Sequence, residues 1–129
     1  MFGEPTSAQS RALSAVNEAF EAGKKALRPG ARARDVDEAT RTILKRHDYD
    51  KYIRHGTGHA HGIMIGQSGR EELGELRVYN DTVLRPNMAN SIEPGISIPE
   101  LGGFRHSDVM IITDTAARCI TDFPRDISL

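Results

Sequence analysis

The chain changes character at Asp48. Before it, apolar residues recur at helical spacing; after it, they fall in short β-like runs divided by Gly, Pro and Asn. Helices first and strands later predict an α+β domain, a sheet covered on one face by two helices. Thr6 and Gln9, just after Pro5, form a capping-box start. Leu13, Val16, Phe20 and Leu27 then mark one face of a helix that ends near Leu27, where Arg28-Pro29-Gly30 stops it. Asp35 and Glu38 make a second capping pair. The helix after them carries Val36, Ala39, Ile43 and Leu44 on its apolar face and ends near His47. Strands are expected over residues 52–54, 59–65, 82–84, 89–93, 96–98 and 108–113. The polar, glycine-bounded stretch 69–77 reads as a loop. No repeat, low-complexity tract or linker divides residues 1–129, so they read as one unit.

Charge and composition exclude several partners. Lys and Arg number 17 against 18 Asp and Glu, a net charge of −1, so no basic field draws in nucleic acid or an anionic membrane. No apolar run is long enough for a bilayer helix. No tryptophan and 5% aromatics leave little to stack on bases or sugars. A single cysteine, Cys119, excludes an internal disulfide. With no signal segment at the start, it points to the reducing cytoplasm. Cys119 itself reads as a small packing residue.

The segment RHGTGHAHG, residues 54–62, sets three histidines among three glycines. His55, His59 and His61 are all odd-numbered, so an extended strand would turn them to one face. Gly56, Gly58 and Gly62 oppose the helix that a zinc-protease His-x-x-x-His pair needs. Two further constellations carry chemistry. Glu93 closes an apolar run just before Pro94-Gly95, and Arg105-His106-Ser107-Asp108 opens the last long run after Gly102-Gly103. Imidazole and carboxylate on neighbouring strands could hold a divalent metal or share a proton. They could equally satisfy one another and the turns, as buried polar groups do. His59 and Glu93 are two donors where a catalytic metal takes three. Asp108 is a third candidate, or else an ion-pair partner of Arg105. His47, at a helix end, suits the helix dipole.

Six stretches carry a resemblance: GEPTSAQ at 3–9, LRPG at 27–30, HGTGHAHG at 55–62, LRPNM at 84–88, SIEPGISIP at 91–99 and GGFRHSD at 102–108. In this order and spacing, residues 2–129 resemble the C-terminal half of the pita-bread catalytic domain. That is the fold of creatinase, prolidase, aminopeptidase P and methionine aminopeptidase. The resemblance implies half of that fold, two N-terminal helices on a curved, mostly antiparallel sheet. Asn87 stands where the family usually has glycine, an exchange suited to a turn with positive φ.

Carried over by position, His59 matches the family's metal-binding histidine and Glu93 a metal-binding glutamate. Ser107 stands where the peptidases place a second glutamate, and Gly66 where they carry a catalytic histidine. The two family aspartates belong to strands before the GEPT segment. Two of five metal ligands are thus implied here, with Mn, Co or Zn by family analogy and no cofactor for this chain alone. Residues 69–88 are similar to the creatinase version of this loop; creatinases hydrolyse a C–N bond without metal. That likeness implies that Arg77 pairs with a substrate carboxylate, a geometry guanidinium suits. His55 and His61 then become neighbours of the substrate.

The resemblance implies a fragment or subunit of a C–N (peptide or amidino) hydrolase, inactive as a metallopeptidase on its own and acting on a small peptide or small carboxylate. The alternative is a degenerate, non-catalytic relative that binds a small molecule or a partner. A third reading is a truncated product of a longer protein. A lone half leaves a sheet edge and an apolar face uncovered. A homodimer or a separately encoded N-terminal half is therefore the expected partner.

Overall fold

The computed structural model describes residues 4–62 and 71–121. Helix α1 spans Ser7–Ala26. Its capping box is the expected one: Gln9 N donates to Thr6 Oγ1, and Gln9 Oε1 accepts from Thr6 N. Helix α2 spans Ala33–Arg46, and its start differs from expectation. Asp35 reaches back to accept from Arg32 N at 3.0 Å instead of opening the helix. The next free amides, Ala33 N and Arg34 N, donate to Thr82 O and Asn80 O. A neighbouring chain segment thus supplies the acceptors that the first turn of a helix lacks.

After α2 come strands β1 (Gly58–His61), β2 (Glu71–Leu76), β3 (Ala89–Ile92), β4 (Gly95–Ile98), β5 (Gly102–Arg105), β6 (Asp108–Ile112) and β7 (Ala117–Cys119). They form a five-stranded sheet in the order β2-β1-β3-β6-β7 and a separate hairpin, β4-β5, all pairs antiparallel. The architecture is α+β, with two helices and a mostly antiparallel sheet, as the sequence predicts. Phe20, Leu27, Val36, Leu76, Ile92, Met110 and Ile112 bury the helices against the large sheet. Ala12, Val16, Ala19 and Leu44 bury them against Ile96 and Phe104 of the hairpin. None of the described helices is long and apolar enough to cross a membrane.

Several expectations need correction. The stretch expected as a loop holds β2, which pairs with β1 across a bulge between Gly58 and Ala60. Pairing creates this strand; its polar sequence carries little β signal. Where a strand is expected at 52–54, Tyr52 ends a 3-10 turn over Asp50–Tyr52, held by Tyr52 N to Tyr49 O and Ile53 N to Asp50 O, and Ile53 and Arg54 follow it outside any strand. At 82–84 there is one bridge, Val83 with Arg32, because this segment caps α2 rather than joining the sheet. The expected strand over 59–65 is β1 alone as far as His61; residues 63–65 lie outside the described residues. Strands β5 and β7 were not expected. One apolar residue in GGFR offers no alternation to read, and Gly102 adopts φ +125°. Asn87 has φ +69°, the positive-φ turn that its exchange for glycine implied.

Candidate functional site

Strand β1 delivers His59, and the end of β3 delivers Glu93 beside it. The two strands approach closely because residue 58 is glycine: a Cβ there would stand 2.0 Å from Ser91 O. His59 Nε2 lies 3.6 Å from Glu93 Oε1. The Ser91 hydroxyl sits between them, accepting from His59 N at 3.0 Å and standing 3.2 Å from Glu93 Oε1 as donor. His59 Nδ1 contacts Ala60 O at 3.0 Å. A carbonyl only accepts, so Nδ1 carries a proton and Nε2 is the ring atom that faces Glu93. With the ring neutral, Nε2 and the carboxylate are two electron-pair donors that can share a proton or a cation; with it protonated, His59 is an ion-pair partner of Glu93.

His61 lies on the same face of β1, its ring centroid 4.6 Å from that of His59. Partial desolvation, then the neighbouring His59, push His61 below the ordinary imidazole value, and Glu93 offsets part of this. His55 precedes the strand, so the expectation of one shared strand face for all three rings holds only for His59 and His61. Instead His55 Nδ1 contacts Gly56 O at 2.8 Å, and its Nε2 lies against Gly95, just beyond Glu93. Arg77 follows β2 and crosses Gly56, where a Cβ would meet its Cδ at 2.4 Å. Its Nη2 lies 3.6 Å from Glu75 Oε1.

The last motif divides between two places. Arg105 Nη1 stands 3.7 Å from Glu93 Oε2. Asp108, buried, does not pair with Arg105 as the alternative reading had it. It contacts His106 Nε2 at 2.8 Å and accepts from Thr121 Oγ1 at 2.9 Å. The His106 ring in turn meets Phe20 edge-on, so this group belongs to the packing beneath α1. Ser107 is exposed, and Gly66 lies outside the described residues. Among the described residues, no group of three or more His, Cys, Asp and Glu side chains is placed to hold a metal ion.

Sequence reading missed Asp37, a carboxylate 1% exposed on α2. Its Oδ1 accepts from Thr57 N at 3.0 Å and Thr57 Oγ1 at 2.8 Å, and its Oδ2 accepts from Arg41 Nε at 2.8 Å. The signal was there: Asp37 stands seven residues before the apolar Leu44, two turns away on the same side of the helix, where a solvated acid would not sit.

The Xaa-Pro dipeptidase of Pyrococcus furiosus is 35% identical over 125 residues, covering 97% of this chain and 34% of that protein. The creatinase of Bacillus sp. (strain B-0618) is 38% identical over 106 residues, covering 79% of this chain and 26% of its own length. The solved Xaa-Pro dipeptidase from Bacillus anthracis superposes with a TM-score of 0.87 at 34% identity, over 98% of this chain and 34% of that one. The chain thus spans about a third of the length of the dipeptidases it matches, and its fold is the corresponding part of their pita-bread fold. The family model for metallopeptidase family M24 matches residues 1–114, and the chain belongs to that family.

Proposed function

We propose that residues 1–129 form one unit carrying a wall of a hydrolase site that cleaves the C–N bond of a small carboxylate-bearing substrate, a dipeptide or an amidino compound. The convergence of His59 Nε2 and Glu93 Oε1 at 3.6 Å supports this reading. His59 and Glu93 are its catalytic pair and would serve as metal ligands only where residues from elsewhere complete the set. Arg77, His55 and His61 line the substrate side. Two donors fall short of the three protein ligands of a catalytic metal, and the Ser107 hydroxyl is no substitute for a carboxylate. The remaining groups come from a second copy or an N-terminal half, in the cytoplasm.

Elemental analysis of the purified chain, with assays on an Xaa-Pro dipeptide and on creatine, tests this reading. The expected result is substoichiometric metal and no dipeptide turnover by the chain alone. Stoichiometric, tightly held Mn, Co or Zn would overturn the reading of the site. A strictly monomeric protein at high concentration in light scattering would count against the second copy.

The second reading, a non-catalytic binding relative, is favoured by Arg105. Its guanidinium already supplies Glu93 with a cation at 3.7 Å. Saturable creatine binding without hydrolysis, even with the N-terminal half supplied, would select it.

A further inference from the structure

We propose that Asp37 is a positioning residue for the His59–Glu93 pair, acting through Thr57. The proposal deepens the hydrolase reading and rests on it for the role of that pair. An ionised carboxylate almost wholly withdrawn from water is seldom the most stable choice, since a well-packed apolar residue is often as good or better. What Asp37 adds is direction. Both lone-pair faces of Oδ1 are taken by one residue, the Thr57 amide at 3.0 Å and the Thr57 hydroxyl at 2.8 Å. Oδ2 is oriented by Arg41 Nε at 2.8 Å, and Arg41 Nη2 also reaches His55 O at 3.4 Å. Thr40, one turn further along α2, touches the Thr57 hydroxyl with its own.

Thr57 passes this constraint on in two directions. Its carbonyl accepts from Glu93 N at 2.6 Å, which places the backbone of the catalytic carboxylate. Its other neighbour, Gly58, leads into His59, whose amide is tied to Ser91 Oγ at 3.0 Å. From Asp37 the path to Glu93 is therefore two hydrogen bonds and one residue long. Arg41 extends the same control to the His55 carbonyl. Helix α2, which contributes no side chain to the site, sets its register.

Amide exchange and imidazole NMR on Asp37→Asn and Asp37→Leu test this, with Val36→Ala as a control that perturbs the same helix from its core face. The amide of Thr57 is bound to Asp37 directly, so the informative readouts are remote: the Glu93 amide and the His59 ring resonances. In folded Asp37→Leu, Glu93 N–H should exchange at least ~10-fold faster, as in local opening, with the His59 ring signals displaced. Val36→Ala should lower stability and leave both unchanged. Unchanged Glu93 exchange and His59 signals in Asp37→Leu, or equal changes in Val36→Ala, would overturn the proposal. Should the Asp37 variants not fold, Thr57→Val decides, because it removes only the hydroxyl arm. His59 displacement restored by Thr57→Ser supports the proposal, and no displacement overturns it. Absence of hydrolysis in any of these proteins bears on the hydrolase reading alone.

Discussion

Arg105 Nη1 lies 3.7 Å from Glu93 Oε2, and the pairing of Gly95 with Arg105 across the β4–β5 hairpin brings them together. The arginine side chain is 58% exposed, so water screens the attraction. Arg105→Met should therefore change stability by less than ~1 kcal/mol in urea unfolding. A larger loss would mean that this pair, rather than Phe104 and Ile96, holds the hairpin in place.

Gly58→Ala should be far more damaging than its size suggests. The added methyl would meet Ser91 O, a backbone atom of the adjoining strand, at 2.0 Å. Overpacking of this kind costs roughly 1–3 kcal/mol, and here neither strand can yield without breaking the ladder between β1 and β3. Denaturant midpoints measure the loss, and the His59 ring signals should move with it.

Phe20→Ala should cost about 3–5 kcal/mol in the same assay. Phe20 is fully buried among Leu27, Val36, Ile92 and Met110, and its ring stands edge-on to His106 at 4.8 Å. A loss under about 1 kcal/mol would show that the helices are held to the sheet mainly by other residues.

The outer faces of α1 and α2 are joined by Glu18, which contacts Arg46 and accepts from His47 Nε2 at 2.7 Å. The hydrogen bond from His47, then that from Arg46, hold the Glu18 carboxyl below its usual value. A carboxyl whose folded value is depressed adds stability above its unfolded value, near 4.5, and loses it as pH falls through the folded value. Wild type should thus exceed Glu18→Gln in stability at neutral pH, with the gap closing under acid. Added salt should narrow the gap as well, since the group is open to solvent. A gap that persists at low pH would assign the effect to packing.

Sequence reading reached furthest where a local rule acts alone. Thr6 and Gln9 announce α1 because their hydrogen bonds need nothing beyond three residues of chain. Glu93 closes an apolar run before Pro94-Gly95, His59 stands among glycines, and their family motifs name them. Strand β2 was hidden because its polar sequence is extended by pairing with β1, not by its own preference. The N-terminus of α2 depends on carbonyls of Asn80 and Thr82, nearly fifty residues away, which no window around Asp35 contains. Asp37 stands between these cases: its place on an apolar face is readable, but its partner Thr57 is a fact of tertiary structure.

The hydrogen bond from Glu93 N to Thr57 O joins the two halves of the site through main chain. Peptide groups are common to every residue type, so that tie does not itself require a particular side chain at position 93. Identity at positions such as 59, 93 and 107 can then change while the frame beneath stays put. A framework of this kind separates the inheritance of shape from the inheritance of reactivity, which suits a fold shared by a dipeptidase and a creatinase.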